Sequence, residues 1–189
     1  MSNIQYTTAE SDSDLYGILK LQRENLPSTI SREEALEQGF VTIEHDFALL
    51  KRMNSPYPHI IAKDGEEVVG YTLVMLRDLR DEIQVLVPMF EQINSITYKG
   101  KTLRDARYVV MGQVCIAKGY RGQGVFQGLY VEMARRMADD YDYIITEISL
   151  RNLRSVRAHH KVGFETIREY QADDGEMWAI VLWEMKGNR

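Results

Sequence analysis

The chain has a single cysteine, Cys115, among its 189 residues. One thiol makes no internal disulfide and no cysteine-rich zinc site, so disulfide scaffolds and zinc modules are excluded, and no metal site is expected. An excess of basic charge is also missing: 23 Lys and Arg stand against 28 Asp and Glu, for a net charge of −5. Nucleic-acid binding of a general kind needs a basic face, which this balance argues against. The same balance suits a cationic partner such as an amine. Apolar runs are short, far below the length of a membrane span. Met1–Glu10 has neither a basic start nor an apolar stretch, so no signal peptide is visible. These absences lead to the expectation of a cytoplasmic protein with no membrane and no nucleic-acid partner. There is no internal repeat and no low-complexity segment. Apolar residues make up 44% and charged residues 27% of the chain, as in an ordinary globular protein. A single domain over 1–189, with a sizeable core, is expected from this length.

The apolar patterning predicts a succession of strands and helices. Ile4 to Thr8 alternates as a short strand, and Leu15, Ile18, Leu19 and Leu21 recur at helical spacing within Ser11–Asn25. Ser31-Arg32-Glu33-Glu34 has the spacing of a capping box and predicts a second short helix. A third is predicted around Phe47, Leu50 and Lys51, before Asn54-Ser55-Pro56. His59–Lys63 and Val68–Leu76 read as an antiparallel pair joined at Asp64-Gly65-Glu66. Val85–Ile96 reads as a helix with Pro88 in its first turn, and Tyr98–Lys101 as a loop. A strand at 107–116, a helix from about Gly124 to Asp139 and a strand at Tyr143–Ser149 follow. Asn152–Val162 reads as a helix ended by Gly163, and Glu165–Gln171 and Met177–Met185 as strands joined by a turn at Asp173-Asp174-Gly175. This order predicts an α/β fold with a mixed, mostly antiparallel central sheet flanked by helices. The strand–helix–strand unit at 107–149 is expected to pair in parallel.

One stretch carries chemistry. Tyr120-Arg121-Gly122-Gln123-Gly124-Val125-Phe126-Gln127-Gly128 joins an apolar strand to a helix with Leu129, Met133 and Met137 on one face. A glycine-rich turn that opens a helix aims backbone amides and the positive end of the helix at one point, where an anion such as phosphate belongs. The expected donors run from about Gln123 to Gly128, with Arg121 adding charge. The alternative is a plain tight connection, in which glycine is common. No Gly-Lys-Ser/Thr follows, so the turn is not a Walker loop. The glycine spacing is not that of a dinucleotide-binding turn either.

The stretch resembles the phosphate loop of the GNAT superfamily of acyl-CoA-dependent N-acyltransferases, which reads Arg or Gln, two residues, Gly, one residue, Gly or Ala. Arg121 and Gly124 align with it, and Phe126 departs from it at the last position. Asn152-Leu153-Arg154-Ser155-Val156-Arg157-Ala158-His159-His160-Lys161-Val162-Gly163-Phe164 resembles a late helix of the same family, which runs from Asn through Ala and Tyr to Gly-Phe. The resemblance implies a GNAT-like fold and the transfer of an acetyl group from acetyl-CoA to an amine, small-molecule or peptide, by direct attack on the thioester. A homodimer is compatible with it.

The resemblance further implies which residues act. Arg121, Gly122, Gln123, Gly124, Val125 and Phe126 bind the pyrophosphate, and Asn152 also contacts the cofactor. The backbone of Val114, Cys115 and Ile116 pairs with the pantetheine arm. His159 stands where the family carries a Tyr that returns a proton to the thiolate. Its alternative is a helix histidine that bonds a carbonyl or lines the channel. Glu147 is the best-placed carboxylate to serve as base, and a solvated strand residue is its alternative. Gln113, near where some members carry Glu, has no basic atom for the task. Tyr57, His59, Tyr71 and Trp178 are candidates to line the acceptor pocket or to be core. Residues 77–106 exceed a minimal connection and cover either the acceptor site or an oligomer interface. A different reading of the same motifs is a non-catalytic acyl-CoA-binding or sensor module.

Overall fold

A computed structural model of the chain describes residues 3–31, 33, 40, 41, 43–83 and 86–185. In chain order it holds β1 (Ile4–Thr8), α1 (Asp12–Arg23), α2 (Phe47–Met53), β2 (Ile60–Asp64), β3 (Glu67–Met75), α3 (Val87–Ser95), β4 (Thr97–Tyr98), β5 (Lys101–Thr102), β6 (Tyr108–Ile116), α4 (Val125–Met137), β7 (Tyr143–Ser149), α5 (Leu153–Val162), β8 (Glu165–Gln171) and β9 (Met177–Glu184). Seven strands form one sheet in the order β1-β2-β3-β6-β7-β9-β8, and β4-β5 form a separate pair. The fold class is the one the patterning predicts.

The residues fall into two compact, interleaved units. The first takes the chain up to Val74 and adds Met111–Arg135; the second takes Met75–Val110 and Arg136 onward.

In the first unit, α1 opens on a capping box. Ser11 Oγ accepts from the Asp14 amide at 3.1 Å, and Asp14 Oδ2 accepts from the Ser11 amide at 3.1 Å. Leu15, Ile18, Leu19 and Leu21 turn inward from it. The Asp46 side chain caps α2 through the Leu49 amide at 2.7 Å. The space beside Gly70 on β3 is filled by Ile116, Val125 and Leu129, so the end of β6 and the start of α4 lie close on that strand. Val125, Leu129 and Met133, four residues apart, are all buried. Each contributes about 1.5–3 kcal/mol by leaving water, and together they fix the helix behind the glycine turn. Of the capping-box segment at 31–34, only Ser31 and Glu33 are among the described residues, so the helix expected there falls outside them.

In the second unit, the start of β6 pairs in parallel with β7 through Tyr108↔Tyr143, Val109↔Ile144 and Val110↔Ile145, as expected. Antiparallel β9 and β8 follow, with Glu147 opposite Ile180 and Ser149 opposite Trp178. Pro88 sits in the first turn of α3. Gly163 closes α5 in the left-handed region at φ 117°. Two details differ from the patterning. Tyr98–Lys101 is not a loop but a small hairpin, in which Lys99 and Gly100 take φ values of 47° and 80°. Lysine holds a turn position usually given to Asn or Asp, which hides the signal. Short 3-10 turns also occupy Arg77–Glu82, Leu103–Asp105 and Lys118–Tyr120; their length leaves no readable period.

Candidate active site

The glycine turn is held from both sides. Ala117, just after β6, donates its amide to Val69 O at 2.8 Å. The Tyr120 hydroxyl donates to Asp64 Oδ2 at 2.9 Å. Arg121 folds back: Nε donates to Ile116 O at 3.1 Å and Nη2 to Asn25 Oδ1 at 2.5 Å. Asn25 is buried, and its own Nδ2 donates to Leu21 O at 2.8 Å. The guanidinium is thus fixed between the end of β6 and the end of α1. Gly122 and Gly124 take φ values of 75° and 84°, and a Cβ at either would point into open space. The conformation therefore selects glycine, while the room beside it is left for something else. The Gln123 side chain closes the turn through Gly119 O at 2.7 Å.

Gly128 plays another part. Its amide donates to Gly124 O at 3.0 Å, so the outward-facing donors end before it and do not extend to it as the sequence suggests. A Cβ on Gly128 would lie 2.2 Å from Tyr6 Cζ, so the ring of β1 takes that space. Phe126 turns back along the helix, its ring centroid 5.1 Å from that of Tyr130. The side chain at the departing position is therefore stored on the helix, and the start of the turn stays clear.

Val114, Cys115 and Ile116 lead into this turn at the end of β6. Burial pushes the Cys115 thiol up to about 12, so it stays protonated at neutral pH and is no nucleophile. Gln113 is a crosslink: Oε1 accepts from the Tyr71 hydroxyl at 2.6 Å, and Nε2 donates to Ile43 O at 2.7 Å. Tyr71 and His59 are fully buried, so both are core rather than pocket lining. His59 Nδ1 accepts from the Val74 amide and Nε2 donates to Leu50 O, both at 3.1 Å.

In the second unit the central group is Glu147 on β7. Burial pushes its carboxyl up to about 7, against the opposing hydrogen bond from Tyr170. That bond runs from the Tyr170 hydroxyl to Glu147 Oε2 at 2.6 Å. Burial, and then the neighbouring carboxylate, raise Tyr170 well beyond the ordinary tyrosine value. Tyr170 was not among the candidates from sequence. Its register opposite Trp178 on β9 follows from the hairpin turn, and the alternation of strands then puts it on the face of Glu147.

Asn152 and His159 belong to α5. Asn152 Oδ1 accepts from the Ser155 amide at 3.2 Å and caps the helix. His159 is 1% exposed. Its Nδ1 lies 2.8 Å from Ser155 O, which assigns the ring proton to that nitrogen. Its ring meets Phe164 edge-on at 5.2 Å. Burial lowers it to about 4, so it is neutral at physiological pH. The one ring proton is committed to a backbone carbonyl. This geometry favours the helix-histidine alternative over proton return to a thiolate. His160 turns away and meets Thr166 Oγ1 at 2.9 Å. Among the described residues no cluster of His, Cys, Asp or Glu is arranged to hold a metal ion, and no helix is long and apolar enough to cross a membrane.

The acetyltransferase (GNAT) family model matches residues 15–164. The chain belongs to the GNAT acetyltransferase family. Solved structures with the same fold include the ribosomal-protein-S18-alanine N-acetyltransferase from Escherichia coli, at 11% identity and a TM-score of 0.62, over 99% of this chain and 97% of that one. Arabidopsis thaliana NAA60 in complex with acetyl-CoA follows at 14% identity and a TM-score of 0.65, over 96% and 99% of the two chains. yncA from Salmonella typhimurium, a putative acetyltransferase solved with acetyl-CoA, is 13% identical with a TM-score of 0.61, over 97% and 94%. None of the curated proteins matches the chain by sequence.

GNAT enzymes use acetyl-CoA as the acyl donor. The turn of this GNAT protein fits such a group on its own geometry: two glycines leave open space in front of a helix N-terminus, and a fixed arginine stands beside them. The two departures from the family pattern have physical explanations. Phe126 is absorbed by Tyr130, and His159 by Ser155 and Phe164.

Proposed function

We propose that this chain is an N-acetyltransferase in which Glu147 serves as the general base. The observation that carries this reading is a half-buried carboxylate on β7 that accepts a 2.6 Å hydrogen bond from the Tyr170 hydroxyl and that burial pushes up to about 7. A base works best when its pKa lies near the working pH. An alkylamine is protonated at neutral pH and is not nucleophilic in that form. Glu147 takes a proton from the ammonium, directly or through one water, and the freed lone pair attacks the thioester carbonyl. The C–N bond forms as the C–S bond breaks, the acylated nitrogen sheds its second proton to solvent, and the leaving thiolate takes up a proton from solvent, which leaves the amide and the free thiol of CoA.

Bound acetyl-CoA supplies the activated thioester. Gly122, Gln123, Gly124, Val125 and Phe126 present backbone amides to its pyrophosphate, and Arg121 adds charge. Val114, Cys115 and Ile116 pair through their backbone with the pantetheine arm, and their amides polarise the carbonyl. Asn152 and His159 hold the helix that follows β7 in shape. In this reading the chain works as one acyltransferase domain over 1–189, built from the two interleaved units.

The experiment is CoA release, followed with a panel of small amines and of peptides with free N-terminal or lysine amines. Turnover with one class names the acceptor. Tight acetyl-CoA binding with no turnover on any amine would overturn the catalytic reading in favour of a sensor or binding module.

A further inference from the structure

Tyr170 and Glu147 lie two strands apart in the sheet, with β9 between them. Glu147 stands opposite Ile180, which stands opposite Arg168; Ser149 stands opposite Trp178, which stands opposite Tyr170. Side chains in direct register share a face, so Glu147, Ser149, Trp178, Ile180, Arg168 and Tyr170 all project to one side. Two strand spacings are roughly 9–10 Å. Only a long, rigid side chain spans that gap and still ends in a donor. The Tyr170 hydroxyl does so, and meets Glu147 Oε2 at 2.6 Å. Among the described residues this is the one hydrogen bond made to the Glu147 side chain.

We propose that Tyr170 is the positioning residue for Glu147: its hydroxyl reaches across β9, holds one carboxylate oxygen, and so fixes the direction in which the other meets the acceptor amine. This rests on the reading of Glu147 as base.

The other charged groups of this face are engaged elsewhere. Arg168 donates to Ser95 Oγ at 2.7 Å and to Gln92 Oε1 at 3.2 Å, both on α3. Glu176 takes hydrogen bonds from Ser149 Oγ and, at 2.8 Å, from Arg151 Nε. Asp174 acts on Tyr170 and further raises its pKa. No cation therefore neutralises Glu147 directly among the described residues, and the phenol is its partner. A hydrogen bond to the charged form favours that form. Tyr170 offsets part of the effect of burial on Glu147 and lowers the pH at which the base becomes competent.

Tyr170→Phe removes the hydroxyl and keeps the ring. Side-chain carbon resonances of Glu147, titrated in the free protein, read the pair without any turnover. Their midpoint should move up in Tyr170→Phe. The pH profile of kcat/KM for an amine that turns over should move with it. Activity at pH 7 should fall about tenfold, as expected for one lost charge-assisted hydrogen bond, and be largely regained at pH 9. Acetyl-CoA affinity should stay near wild type. An unmoved midpoint, or an equal loss at every pH, overturns the proposal. Glu147→Gln separates it from the reading beneath it. If that variant keeps full activity, Glu147 is not the base, and the part assigned to Tyr170 in catalysis falls with it even where the resonance midpoint moves.

Discussion

Glu147 and Gly128 show how differently single residues disclose their parts. Glu147 is one of many carboxylates in an acidic chain, and its sequence position alone left base and solvated strand residue equally open. Burial and Tyr170 distinguish it, and neither is a local property. Glu147→Gln should lower kcat by at least about 100-fold at neutral pH and abolish the acidic limb of the pH profile near the value of about 7 set for this carboxyl. Acetyl-CoA affinity, measured by calorimetry, should not change. An intact acidic limb would assign that ionisation elsewhere. The three glycines of the turn look alike in sequence, yet only two of them serve the turn's backbone; Gly128 makes room for Tyr6. Gly128→Ala should therefore cost about 1–3 kcal/mol of stability through overpacking, recovered in part when Tyr6 is also truncated. By contrast, Gly124→Asp should weaken acetyl-CoA binding without overpacking, since its Cβ meets only open space, and its φ of 84° should cost about 1 kcal/mol of stability as backbone strain. Calorimetry and thermal melts on the two variants check this contrast.

Among the elements, those with a repeating apolar pattern were legible. α1, α4 and the strands of the sheet declare themselves through spacing, because burial on one face demands it. The β4–β5 hairpin did not, since two residues a side are too few to set a period. In the candidate site, the glycine turn and α5 were legible as motifs. The clamp from Asn25 to Arg121 was not, because its partners are separated by most of unit one's sequence and no local rule relates them. The helix caps yield a prediction at this scale. Asn152 spends its side-chain oxygen on the Ser155 amide, so Asn152→Ala should lose about 1 kcal/mol in denaturant unfolding. Asn152→Asp or Asn152→Ser, which keep a capping oxygen, should lose less. If both fall equally, the amide group rather than the cap matters.

For the whole molecule, the buried titrating groups set how stability follows pH. His45, His59 and His159 are each lowered by burial from 6.5 to about 4. Between those values the unfolded chain binds more protons than the folded one. Their contribution is therefore complete above pH 6.5 and is lost as pH falls towards 4. Glu147 runs the other way: raised from 4.5 to about 7, it contributes fully below 4.5 and loses that contribution as pH rises through 7. Three groups outweigh one, so Tm should decline as the solution is taken from pH 7 to pH 4. A flat or rising Tm over that interval would mean that the three rings are protonated in the folded state.

The interleaving of the two units bears on how the protein is made. A ribosome delivers the chain from its N-terminus, and the first 74 residues emerge without the partner that completes them. The face of β3 around Gly70 is covered by Ile116, Val125 and Leu129, which arrive some forty to sixty residues later. The segment from Met75 to Val110 comes in between and must itself wait for the strands after Arg136. Neither unit can close while the nascent chain is half made: the first is complete only once Arg135 has emerged, and the second later still. Cutting the gene at any of the three junctions, after Val74, Val110 or Arg135, should yield fragments that fail to fold when produced separately.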